Sequence, residues 1–259
     1  MCTILFAYDC HPCYQLVVAA NRDEFFSRPA RAAEFWTEAP NILGGRDLQE
    51  GGTWMGITTE GRFATLTNYR DPSSYKQEAP SRGQLVQNYL CGQLSPESYI
   101  ETLENGGTAY NGFNLLLGTY ESMYYYSNRG KNICKVEKGV HGMSNSLLDV
   151  PWPKVSKGIK AVGDVVEHKE IEVEQLFAIM ADREQPDERN LPQTGVSLEM
   201  EKMLAPMYVM SPHYGTRTTT VLLVDRKHRV QFWERTFAAM NPDKWNEIHY
   251  TFEGIACSS

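Results

Sequence analysis

The 259-residue chain lacks an excess of basic charge, with 25 Lys and Arg set against 32 Asp and Glu and a formal net charge of −7. Nucleic-acid binding is driven by basic patches, so this balance argues against a nucleic-acid partner. The chain also lacks any apolar run near the roughly 18 residues that a membrane span needs. Its amino terminus has no basic segment, and Asp9 interrupts the first apolar run. That pattern reads as a chain without a signal peptide, and the expected location is cytoplasmic. No H-x-x-x-H and no cluster of Cys, His and Asp provides metal-ligand spacing, so a metallohydrolase is the least favoured chemistry and no cofactor is expected. There is no disulfide framework either. Cys2, Cys10, Cys13, Cys91, Cys134 and Cys257 are scattered through a full-sized domain. Cys10-His11-Pro12-Cys13 has the spacing of a redox pair but sits in an expected hairpin turn, where a redox motif would need a helix start. A hydrophobic share of 42% with 22% charged residues describes an ordinary globular chain, read as a single domain over 1–259.

What is there is organised around Cys2. Behind it run Thr3 to Tyr8, a polar turn from Asp9 to Cys13, and Leu16 to Ala20, which leads into Asn21-Arg22-Asp23-Glu24. Two short runs joined by a turn predict a hairpin, and antiparallel pairing brings Arg22 and Asp23 beside Cys2. A Cys made N-terminal by removal of Met1 carries its nucleophile and its base in one residue. Arg22 would favour the thiolate and Asp23 would hold the α-amine. The plainer alternative is a buried small residue beside a structural ion pair.

The pattern downstream predicts a hairpin from Gly51 to Ile57 and Arg62 to Tyr69, with an irregular excursion over 30–50 before it. Helices are expected over Arg82 to Leu90, from the Ser95 cap to Glu104, in two pieces over 154–182, and over Ser197 to Leu204. Strands are expected at Phe113 to Gly118, Met123 to Ser127, Ile133 to Glu137, Gly215 to Asp225, Val230 to Glu234 and Asn246 to Phe252. Gln185 to Gly195 reads as a polar loop. Runs of strands and runs of helices, without strict alternation, predict an α+β layered fold with two mainly antiparallel sheets and helices outside.

Met1-Cys2, Ala19-Ala20-Asn21-Arg22-Asp23-Glu24-Phe25 and Gly51-Gly52-Thr53-Trp54-Met55-Gly56 closely resemble the NRDE family, that of transport and Golgi organisation protein 2. Leu66-Thr67-Asn68-Tyr69, Tyr110-Asn111-Gly112-Phe113-Asn114, Met143-Ser144-Asn145 and Tyr214-Gly215-Thr216-Arg217-Thr218 extend the resemblance over nearly the whole chain. It implies a branch of the N-terminal-nucleophile hydrolases with a four-layer αββα sandwich. By that resemblance Cys2 is the nucleophile, Arg22 stabilises its thiolate and Asp23 holds the amine. Asn68 and Asn145 flank the oxyanion, and Arg217 completes the charge set. The implied activity is hydrolysis of a linear amide or thioester, with a small-molecule substrate. The alternative is a binding or trafficking protein that keeps a hydrophobic ligand such as haem or acyl-CoA, with His141 and His213 as candidate haem ligands.

Overall fold

The structure, a computed structural model, describes residues 2–106, 109–130 and 133–255. Six strands come first: β1 (Cys2–Tyr8), β2 (Tyr14–Phe25), β3 (Ala30–Trp36), β4 (Ala39–Asp47), β5 (Met55–Thr58) and β6 (Phe63–Asn68). Helices α1 (Gly83–Cys91) and α2 (Pro96–Gly106) follow, then β7 (Phe113–Gly118), β8 (Met123–Ser127), β9 (Ile133–Lys135) and β10 (Gly139–Met143). Helices α3 (Pro153–Val166), α4 (Val173–Met180) and α5 (Leu198–Leu204) precede β11 (Tyr214–Asp225), β12 (Arg229–Ala238) and β13 (Asn241–Glu253).

The strands form two antiparallel sheets, ordered β10-β1-β2-β11-β12-β13 and β3-β4-β5-β6-β7-β8-β9. Three apolar interfaces make four layers of them. Between the sheets, Ile4, Phe6, Val18, Leu222 and Phe232 meet Leu43, Ile57, Phe63, Leu116 and Tyr125. On one outer face, Leu85, Val86, Tyr89, Ile100 and Leu103 of α1 and α2 cover Ala64, Leu66, Leu115 and Leu117. On the other, Val162, Val166, Leu176, Phe177 and Met180 of α3 and α4 cover Leu5, Ala7, Val17, Ala19, Val221 and Leu223. Each fully buried Leu or Phe contributes roughly 1.5–3 kcal/mol by leaving water. The expected αββα sandwich is therefore the observed one.

Residues 30–50, expected to be irregular, are the β3–β4 hairpin. Register shifts between Arg31 and Glu34 and between Phe35 and Trp36 break the two-residue alternation that would have marked them. β10 was not expected either; it is an edge strand of five residues beside β1. The polar loop over 185–195 carries one 3₁₀ turn, Glu188–Asn190, capped by Asp187. Cys257 lies outside the described residues. Among the described residues, no helix is long and apolar enough to cross a membrane.

Candidate active site

β1 and β2 pair with Cys2 opposite Arg22, Thr3 opposite Asn21 and Ile4 opposite Ala20. Strand alternation then sorts the side chains. Cys2 and Arg22 share the parity of Ile4, Phe6, Val18 and Ala20, which face the second sheet. Asn21 and Asp23 share the parity of Val17 and Ala19, which face α3 and α4. The Arg22 guanidinium accordingly stacks 4.4 Å from the Trp54 ring, with Nη2 3.4 Å from Asp47 Oδ2. On the helix side, Asn21 Nδ2 donates to the carbonyls of Met180 and Met207, and Thr216 Oγ1 donates to Asp23 Oδ1 at 2.7 Å. Being adjacent, Arg22 and Asp23 serve opposite faces at one end of β2.

A cavity of about 280 Å³ opens at this end of the sandwich. Cys2, Arg22, Asp23 and Asn68 line it, together with Glu24, Arg28, Asp47, Glu50, Trp54, Tyr75 and Arg82. Asn145 does not reach it. Its amide is used behind the wall, donating to the Asn68 carbonyl at 2.9 Å and accepting from Arg70 Nη2 at 3.3 Å. Arg217 does not line the cavity either. It sits at a β-bulge between Thr216 and Thr218, and its Nη1 donates to the carbonyls of Phe25 and Arg28. Both side chains therefore make their hydrogen bonds from outside the cavity lining.

Charge at the site also departs from expectation. Burial pushes the Cys2 thiol above its ordinary value, and the opposing pull of Arg22 is weaker. A desolvated thiol loses more from ionising than one nearby guanidinium returns. Burial likewise pushes Asp23 up, with Lys154 opposing it most. Lys154, outside the cavity lining but felt by Asp23 through its charge, was missed by sequence reasoning. It is 6% exposed, its Nζ donates to the Leu204 carbonyl at 2.9 Å, and burial pushes its pKa down to about 8.

The motif residues around 110 explain a second missed wall. Asn111 clamps the loop over 70–82, accepting from Lys76 N at 2.8 Å and donating to Lys76 O at 2.9 Å. The Gly112 carbonyl accepts from Tyr69 N and from Arg82 Nη1. Gly52, with φ +80°, packs so tightly on Gly83 that a Cβ would lie 2.5 Å from the Gly83 carbonyl carbon. Only glycine fits there. The candidate haem ligands lie elsewhere. Both ring nitrogens of His141 are occupied, by Asp149 at 2.7 Å and the Glu137 carbonyl at 3.0 Å, and His213 is exposed outside the cavity.

The family model of Transport and Golgi organisation 2 matches residues 1–239. A Bos taurus protein named Transport and Golgi organization protein 2 homolog is 37% identical, covering 97% of this chain and 99% of the relative. The Homo sapiens homolog is 36% identical with the same coverage. The chain belongs to the Transport and Golgi organisation 2 family. Among solved structures, a mutant conjugated bile acid hydrolase from Clostridium perfringens superposes with a TM-score of 0.56 at 11% identity, covering 98% of this chain and 97% of that one. A further variant of the same enzyme gives a TM-score of 0.54. This member of the family therefore shares the four-layer fold of that N-terminal-nucleophile hydrolase.

Proposed function

We propose that this protein is an N-terminal-nucleophile hydrolase that cleaves an amide or thioester through Cys2 once Met1 has been removed. The observation that carries the reading is the place of Cys2: first residue of an interior strand, opposite Arg22, at the wall of a cavity shared with Asp23 and Asn68. The freed α-amine of Cys2 takes the thiol proton as Sγ attacks the carbonyl carbon, forming the S–C bond. A side-chain N–H of Asn68 and Arg22 stabilise the oxyanion. Collapse breaks the C–N or C–S bond, and the amine or thiol leaves with the proton. Water then attacks the acyl-Cys2 thioester, releasing the acid and restoring the thiol. Because burial raises the thiol pKa, the scheme needs proton transfer to accompany attack, with little thiolate standing in advance.

The second reading, a carrier that binds without turnover, is favoured by one observation, the burial that disfavours the thiolate. An apolar ligand such as haem fits this cavity poorly, since Arg22, Arg28, Arg82, Glu24, Asp47 and Glu50 line it. The test uses protein whose mass proves removal of Met1, incubated with amides and thioesters and analysed by intact-mass spectrometry. An acyl adduct on Cys2 that Cys2→Ser abolishes is expected. Processed, folded protein that gives neither adduct nor product across the panel overturns the hydrolase reading in favour of the carrier.

A further inference from the structure

Three arginines line the cavity over Cys2, and two of them share one acid. Asp47 Oδ2 lies 2.6 Å from Arg28 Nε and 3.4 Å from Arg22 Nη2. Arg82 differs. Among the described residues it forms no ion pair, and its Nη1 donates to the Gly112 carbonyl at 3.0 Å. It stands at the N-cap of α1 with no side-chain cap, so the positive end of the helix adds to its field on the cavity side, where Gly83 also lines the wall. Arg22, 5% exposed and part of the same lining, leaves Nη1 without a hydrogen-bond partner. The wall therefore holds cationic donors that internal acids do not saturate.

We infer that the substrate is an amide or thioester bearing a carboxylate, and that Arg82 receives that carboxylate while the scissile carbonyl lies at Cys2. The inference rests on the hydrolase reading above and names its substrate class. A planar guanidinium fork matches a carboxylate in two parallel hydrogen bonds. Glu24 and Glu50 line the same cavity and repel a polyanion, so a single carboxylate fits better than a phosphate chain. Burial holds Arg82 below its ordinary pKa while the Cys2 thiol, Glu24 and Tyr75 act against it, which places the guanidinium within electrostatic reach of the nucleophile. A bound carboxylate supplies the counter-charge that Arg82 lacks.

The experiment compares three anilides on processed enzyme: glutaryl p-nitroanilide, uncharged pentanoyl p-nitroanilide, and 4-(pentanoylamino)benzoate, whose carboxylate is on the leaving group. One carboxylated compound should exceed the uncharged one in kcat/KM by roughly 10- to 100-fold, as for a charge-assisted hydrogen bond. Arg82→Gln should collapse that ratio, and Arg82→Lys should restore part of it, which a loss of folding would not do. Binding of the same compounds to Cys2→Ser protein by calorimetry gives a readout free of turnover. Carboxylate-selective, Arg82-dependent binding without turnover keeps the anion site and overturns the hydrolase reading. Turnover with no carboxylate preference, or no binding of either carboxylated compound to folded Cys2→Ser protein, overturns the inference.

Discussion

Glu234 is 1% exposed on β12 and reaches across to the other sheet, accepting from Ala33 N at 2.9 Å and from Thr220 Oγ1 at 3.3 Å. Burial pushes its pKa up to about 7, against smaller opposing pulls from Ala33 N–H, Thr220 and Arg22. The folded value stands above the unfolded one, so the folded state holds the proton longer. The contribution of Glu234 to stability should therefore be greatest below about pH 4.5 and fall as pH rises towards 7, by on the order of 3 kcal/mol at most. Urea melts of wild type and Glu234→Gln between pH 4.5 and 8 check this, and the variant should lose that part of the slope. A parallel slope in both would show that the carboxyl does not titrate there. At this scale much of the site was legible. Cys2 and Arg22 were placed correctly because hairpin register follows from two apolar runs and a turn. What could not be read was the sign of the charge effect on Cys2, since burial is set by Trp54, Leu66 and other residues far along the chain. Lys154 was illegible for the same reason: a lysine in a helix pattern reads as solvent-facing until the fold seals it.

The turn before β5 shows how an element depends on two glycines in different ways. Gly51 has φ +69° with open space around its missing Cβ, whereas Gly52 has φ +80° against the backbone of Gly83 and Gln84. Gly51→Ala should cost about 1 kcal/mol for the backbone conformation alone. Gly52→Ala adds a backbone clash and should cost about 2–4 kcal/mol while prising α1, with Arg82, away from the cavity. Denaturant midpoints rank the pair, and equal losses would contradict the packing. The glycine pair was visible in the sequence, but its partner, some 30 positions later, was not. The β3–β4 hairpin was hidden by its own bulges, and β10 by its length and polar start. Helices with strong caps fared better: Ser197, whose side chain accepts from Met200 N, marked the start of α5.

Across the whole molecule, the inter-sheet layer carries the fold. Leu116→Ala, in that layer and fully buried, should cost about 2–5 kcal/mol. Leu48→Ala, at a residue 51% exposed, should stay within about 0.5 kcal/mol. Thermal melts of the two variants test whether the sandwich interior or the rim sets stability. The layer order was legible from the grouping of strands and helices, because apolar strands in excess of one sheet must bury each other. The interior position of β1, flanked by β10 and β2, has a consequence in time. Its partners are β2, which follows at once, and β10, which begins at Gly139; β2 in turn needs β11, which ends at Asp225. Synthesis at about 5–20 residues per second leaves the strand that bears Cys2 without its full sheet for roughly 10–45 s. Throughout that interval the amino terminus ahead of Cys2 is open to trimming by an enzyme acting on the nascent chain, which the proposed mechanism needs.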